Sequence, residues 1–136
     1  MLTETRAALV ERLGSFDPLV EVGIGNRNDV AAALAEEGHT VTATDVHDRS
    51  VPDGVAFVRD DVTDPDESVY EDAETVYALN SPPELHRPLM ELGRAVDAAV
   101  LFTTLGADQP TVPVERETLP GETLYRVRAV GPSRRS

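Results

Sequence analysis

The sequence predicts an α/β domain in three layers, with a mostly parallel sheet held between helices. Three observations lead there. Short apolar runs rich in Val, Leu and Ala recur between stretches of helical periodicity. The run Leu19-Val20-Glu21-Val22-Gly23-Ile24-Gly25 passes from a buried strand into a glycine turn, and Asn28 and Asp29 then open a helical pattern. The chain has 136 residues with no internal repeat and no dividing linker, so one core is expected over residues 1–130, ahead of a flexible tail at 131–136. Strand, glycine turn and helix together are the usual opening of a nucleotide-binding α/β unit. At this length the domain is a minimal version of that architecture.

Each element follows from local signals. A first helix is expected to run to Leu13 with Thr3 as its N-cap and Gly14 at its end; Leu2, Leu9, Val10 and Leu13 form its apolar face. Strand one covers Leu19 to Ile24. The first crossover helix spans Asp29 to Glu37, capped by Asn28 and closed by Gly38, and its alanines allow close packing on a sheet. Strand two is His39 to Thr44 and ends at Asp45; strand three is Val55 to Val58. A dense acidic turn, Arg59 to Pro65, leads to one helical turn at Asp66 to Tyr70. Strand four is Thr75 to Leu79, with Asn80 directly after it. Ser81-Pro82-Pro83-Glu84 reads as a capping box opening a helix to Val96, with Pro88 a bending point in its second turn. Strand five is Ala98 to Thr103. A loop covers Thr104 to Pro113, and Leu124 to Val130 alternates as an edge or hairpin strand.

Composition limits the chemistry. Cys is absent, which removes disulfides, thiolate catalysis and cysteine-ligated zinc. Twelve basic residues against 25 acidic ones give a formal net charge of −13, and Lys is missing altogether. An acidic surface with Arg as its only long cation resembles the composition of proteins from salt-loving archaea, the source expected here. Such a surface repels nucleic acid unless salt or a local basic patch intervenes. No apolar run reaches the length of a membrane span, and the first twelve residues lack a signal-peptide core, so a cytoplasmic location is expected. There is no serine elbow, no metal-ligand cluster and no phosphate-binding glycine loop with Lys. His47 in an acidic loop is a proton-transfer or metal candidate, His39 at a strand start reads as structural, and His86 falls in the first turn of a helix.

The carboxyl ends of the predicted strands share one rim, where open α/β sheets bind ligands. Glu21, Gly23 and Gly25 form an E-x-G-x-G turn whose glycines let a ligand approach the backbone, beside the unpaired N–H groups of a new helix. Asp45 follows strand two, twenty residues after Gly25, where an acid can accept both hydroxyls of an adenosine ribose. Asp60 or Asp61 holds the same place after strand three and is expected near adenine, with Val62 able to pack on the base. Asn80 exits an apolar strand and is expected to face the same pocket, while Tyr77, in mid-strand, reads as core. Arg27 stands where a dinucleotide site has its third glycine, which argues against NAD. Its guanidinium is expected to meet Asp29, Glu21 or a ligand carboxylate.

Glu21-Val22-Gly23-Ile24-Gly25, Asp45, Asp60-Asp61 and Asn80-Ser81-Pro82-Pro83 together resemble the class I S-adenosylmethionine-dependent methyltransferase superfamily. The resemblance implies that the glycine turn contacts the methionine part of the cofactor, that Asp45 holds the ribose, and that Asp60 or Asp61 sits near adenine. Asn80 and its prolines are similar to the Asn-Pro-Pro motif of amino-group methyltransferases. Here Ser81 is inserted before the prolines, and Glu84 replaces the usual aromatic residue. From about Arg6 to Arg128 the chain also resembles a small archaeal uncharacterised protein family, number 146. That likeness lies in the E-V-G-x-G turn, Thr44-Asp45-Val46, the D-D-V-T-D-P of Asp60 to Pro65 and the P-P-E-L of Pro82 to Leu85. It implies a Rossmann-like, methyltransferase-like fold.

The function expected from these readings is binding of S-adenosylmethionine, with methyl transfer to an unknown acceptor that Asn80 orients. The alternative is a non-catalytic adenosine or nucleotide sensor, or an accessory subunit of a larger complex. The short chain leaves little material after strand five for an acceptor pocket, so a homodimer or a protein partner is expected to supply it. Late arginines such as Arg116, Arg126 and Arg128 leave an RNA acceptor open. No metal is expected.

Overall fold

Residues 1–128 are described in a computed structural model of the chain. Five parallel strands and an antiparallel hairpin form one seven-stranded sheet in the order β3-β2-β1-β4-β5-β7-β6. The strands are β1 (Leu19–Val22), β2 (Val41–Asp45), β3 (Val55–Arg59), β4 (Thr75–Ala78), β5 (Ala99–Phe102), β6 (Val114–Leu119) and β7 (Glu122–Val127). Helices α1 (Thr3–Leu13) and α2 (Asp29–Glu36) cover one face, and α3 (His86–Val96) covers the other.

Every residue of β1 and β4 is buried, as expected for central parallel strands with helices on both faces. Alternation along the strands divides their side chains between two cores. Leu19, Val41, Ala43, Tyr77 and Leu101 pack with Leu9, Leu13, Val30 and Leu34 beneath α1 and α2. Val20, Val22, Val76, Val100 and Phe102 pack with Leu89, Met90 and Leu92 of α3. Glu21 shares the parity of Leu19, so its carboxyl group points into the α1–α2 face.

The ends of the elements differ from expectation in instructive ways. Thr3 is the first residue of α1 and not its cap; the N-cap is Leu2, without a side-chain bond. The capping box at Ser81 does not form. Ser81 is 3% exposed, its hydroxyl lies on Pro82 O at 3.3 Å, and its N–H donates to Thr103 O at 2.8 Å. The chain is thus tied to the end of β5, makes a 3-10 turn at Pro83–Leu85, and enters α3 only at His86. Pro88 therefore falls in the first turn of α3, where its missing N–H removes no helical hydrogen bond and requires no bend.

The hairpin supplies a strand that was not expected. In β6, Glu115, Arg116 and Glu117 interrupt the apolar pattern because this strand is the sheet edge and much of it meets water. The turn signal was present in Pro120-Gly121, with Gly121 at φ 73°. The strand expected at Leu124 to Val130 runs from Glu122 to Val127 and lies inside the sheet, between β5 and β6. Residues 129 and 130, and the tail expected at 131–136, lie outside the described residues. The hairpin is fixed to α1 by Thr5 Oγ1, which donates to Pro120 O at 2.6 Å, and by the Arg12 guanidinium, which donates to both oxygens of Glu117 at 2.7 and 3.0 Å. Among the described residues no helix is long and apolar enough to cross a membrane.

Candidate functional site

Strand order reverses between β1 and β4, and the residues leaving those two strands open a crevice at their carboxyl ends. The glycine turn after β1 is held to β2 by Gly23 and Ile24, whose N–H groups donate to Thr44 O at 2.9 and 3.2 Å. Gly23 and Gly25 both have positive φ, 71° and 58°. A Cβ on Gly23 would meet no atom within 4 Å, so that face of the turn is open. Beside it lies a cleft of about 410 Å³ lined by Glu21, Gly23, Gly25, Arg27, Asn80 and Thr103 among others. That size suits a small-molecule ligand.

Glu21 is 1% exposed and accepts a 2.8 Å hydrogen bond from the Tyr77 hydroxyl. Burial pushes its carboxyl up to about 8, against the opposing pull of the Tyr77 hydroxyl and the Arg27 charge. At neutral pH it is therefore mostly a neutral acid. Burial and the neighbouring Glu21 raise the Tyr77 hydroxyl as well.

Asn80 has φ 54°, a left-handed conformation that Asn tolerates better than most residues. Its N–H donates to Thr103 Oγ1 at 2.8 Å, while Thr103 N–H donates to Ala78 O at 3.0 Å. Thr103 is 2% exposed and so holds the Asn80 turn from within. With the amide oriented by its neighbours, the Asn80 carboxamide oxygen accepts from the Arg27 guanidinium, 3.1 Å from Nη1. Arg27 thus pairs with Asn80, and Asp29, one of its expected partners, pairs with Arg6 at 3.2 Å.

Asp45 stands next to the cleft and is joined to it through the glycine turn. Its Oδ2 accepts from Gly25 N–H at 2.9 Å, and its Oδ1 accepts from His47 N–H at 3.0 Å. Arg49 Nε lies 3.4 Å from Oδ2, and Arg49 Nη1 donates to Asn26 Oδ1 at 3.2 Å. Burial opposes the charge on Asp45, but the two N–H groups and Arg49 outweigh it and hold the carboxyl below its ordinary value. Asp60 N–H donates to Asp45 O at 3.0 Å, which sets the ends of β2 and β3 side by side.

The residues expected around adenine have local partners. Asp60 accepts from the Tyr70 hydroxyl at 2.7 Å and from Asp66 N–H at 3.1 Å. Asp61 is exposed and accepts from Thr63 Oγ1 and N–H at 2.6 and 2.9 Å; these donors lower its pKa. Val62 is 6% exposed, and its side chain packs into the core on the α3 side with Tyr70. The structure therefore brings Glu21, Gly23, Gly25 and Asn80 together on one cleft, and sets Asp45, Asp60, Asp61 and Val62 in series along the neighbouring strand ends.

The histidines have separate places. His86 is fully buried, stacks on Phe102 at 4.2 Å, and joins Ser81 O (3.2 Å from Nε2) to Thr111 N–H, which donates to Nδ1 at 3.2 Å. His39 places both ring nitrogens on carbonyl oxygens, Gly14 O at 2.8 Å and Leu34 O at 3.1 Å. The bond to Gly14 is the main cause of its raised pKa. His47 is exposed in the loop after β2. Among the described residues no group of three His, Asp or Glu side chains is placed to hold a metal ion. Sequence reasoning missed Thr103, Arg49 and the Arg27–Asn80 contact, since each depends on pairing across strands or loops.

Comparison with known proteins agrees with this architecture. A profile of the uncharacterised protein family UPF0146 matches residues 4–129. A UPF0146 protein of Halobacterium salinarum is 54% identical over 117 residues, covering 85% of this chain and 91% of that protein. One from Archaeoglobus fulgidus is 46% identical over 90 residues, covering 66% and 69%. Among solved structures, an RNA methyltransferase from Salinibacter ruber in complex with S-adenosyl-L-homocysteine has a TM-score of 0.60 at 18% identity, covering 88% of each chain. A magnesium protoporphyrin IX methyltransferase from Synechocystis with bound SAM has a TM-score of 0.61 at 12% identity, covering 91% of this chain and 78% of that one. The fold resembles that of these two methyltransferases.

Proposed function

This chain belongs to the uncharacterised protein family UPF0146 and carries a methyltransferase-like sheet, and from that premise we propose that its glycine-turn cleft binds S-adenosylmethionine and presents the methyl group to an acceptor beside Asn80. The observation that carries the reading is the convergence of Glu21, Gly23, Gly25 and Asn80 on one cleft at the point where strand order reverses. Structural neighbours that bind S-adenosylmethionine or its product on the same sheet support it.

The residues present fit such a ligand. The open face of Gly23 admits it against the backbone. Asp45 Oδ1 accepts one backbone N–H and keeps a lone pair for a ribose hydroxyl, while Oδ2 accepts Gly25 N–H and faces Arg49. Asp61 and the Val62 backbone lie farther along the rim, where the base would extend. When bound, the cofactor supplies a methyl group already activated on a sulfonium. The chain then needs to align an acceptor, more than to provide a strong base. Asn80, whose N–H is held by Thr103, would orient that acceptor. A second copy or a partner protein would complete the acceptor side.

The contact between Arg27 and Asn80 favours a second reading, a non-catalytic adenosine sensor, because it occupies the carboxamide an acceptor would use. Calorimetric titration with S-adenosylmethionine and S-adenosylhomocysteine in high KCl, with NAD as control, tests the shared claim. Both sulfur ligands should bind and NAD should not. Asp45→Ala should weaken binding by about tenfold or more, as expected when charged hydrogen bonds are lost. Transfer of a labelled methyl group to cell-extract fractions separates an enzyme from a sensor. No saturable heat from folded protein would contradict both readings.

A further inference from the structure

Arg27 is an unusual charge to find in this cleft. The chain carries 25 acidic residues against twelve basic ones, yet Arg27 makes no ion pair among the described residues. Its guanidinium lies instead on the neutral Asn80 carboxamide at the mouth of the cleft. Asp29, two residues on, is already engaged with Arg6. Glu21 on the cleft floor is mostly protonated at neutral pH and satisfied by Tyr77. A guanidinium held by a neutral acceptor gains from exchanging it for a carboxylate, because the carboxylate adds an opposite charge and two parallel acceptors to a bond in which only the donor was ionised.

From this geometry we infer that Arg27 recognises the terminal carboxylate of the ligand and, in taking it, releases Asn80. The inference rests on the proposed cofactor site and adds two things to it. It gives the cleft a preference for adenosyl ligands that carry an intact amino-acid end. It also imposes an order: the Asn80 carboxamide becomes free for an acceptor only after the carboxylate-bearing ligand has entered. The left-handed turn held by Thr103 keeps Asn80 in place while Arg27 moves away.

The test compares S-adenosylhomocysteine with its decarboxylated analogue, S-adenosyl-3-thiopropylamine, which keeps the adenosine, the sulfur and the amine. Wild-type protein should bind the first about tenfold or more tightly than the second, the loss expected for one charged hydrogen-bonded contact. Arg27→Gln should bring the two affinities together, and Arg27→Lys should keep part of the difference. In labelled protein the Asn80 side-chain NH₂ resonances should shift with S-adenosylhomocysteine and stay near their free positions with the analogue. Arg27 is exposed, so both variants should keep the wild-type melting temperature. Equal wild-type affinities, or a preference that survives in Arg27→Gln, would overturn this inference and leave the site reading standing. Failure of both ligands to bind would overturn the two together.

Discussion

Glu21 places a carboxyl group at the end of β1 where only 1% of the residue meets solvent. In the folded chain it titrates near 8, against an ordinary value of 4.5. Between those values the folded state holds a proton that the unfolded state has released, so stability falls as pH rises through the window. The full shift corresponds to about 5 kcal/mol at most. Glu21→Gln should flatten the decline in unfolding free energy from pH 4.5 to 8; an unchanged pH profile would show that Glu21 is not the source. The positions of Glu21, Gly23, Gly25 and Asp45 at the ends of β1 and β2 were legible in the sequence because strand, glycine turn and acid follow one another locally. The partners that tune them were not. Tyr77 lies 56 residues from Glu21, and Thr103 lies 23 from Asn80, so only the folded sheet brings them into contact. Asn80 could be placed at a strand end from sequence, but its left-handed backbone and its bond to Arg27 depend on that same sheet.

Elements whose two faces are both buried were the easiest to read, and elements at the margins the hardest. β1 and β4 are continuous apolar runs but for Glu21 and Thr75, and both were placed within two residues. β6 escaped because an edge strand need not bury a full face. The start of α3 was misread because Ser81 is drawn to β5 by its backbone, so the local capping signal lost to a tertiary bond. The packing of α3 is the sharpest constraint among the helices. Gly93 faces β5, and a Cβ there would collide with Val100 Cγ2 and stand 3.0 Å from Ala98 O. Gly93→Ala should destabilise the fold by about 1–3 kcal/mol despite the better helix propensity of Ala, the usual cost of overpacking. Chemical denaturation checks it; a more stable variant would mean that α3 can move away from the sheet freely.

At the scale of the whole molecule, charge and topology make separate demands. A formal charge of −13 on 136 residues opposes the compact state through self-repulsion, which salt screens over a Debye length of about 10 Å at 0.1 M and about 3 Å at 1 M. The melting temperature should therefore rise steadily with KCl into the molar range, and a flat response would show that the acidic surface costs the fold little. The topology carries the functional claim: seven strands in this order bring the glycine turn, Asp45 and Asn80 to one rim. The most direct test is an amide NMR titration of the labelled chain with S-adenosylhomocysteine in high KCl. Saturable shifts are expected at Gly23, Gly25, Arg27, Asp45 and Asn80, with smaller ones at Asp61 and Val62. Shifts confined to the opposite end of the sheet, around Asp97 and Ala98, or no shifts at millimolar ligand, would contradict it.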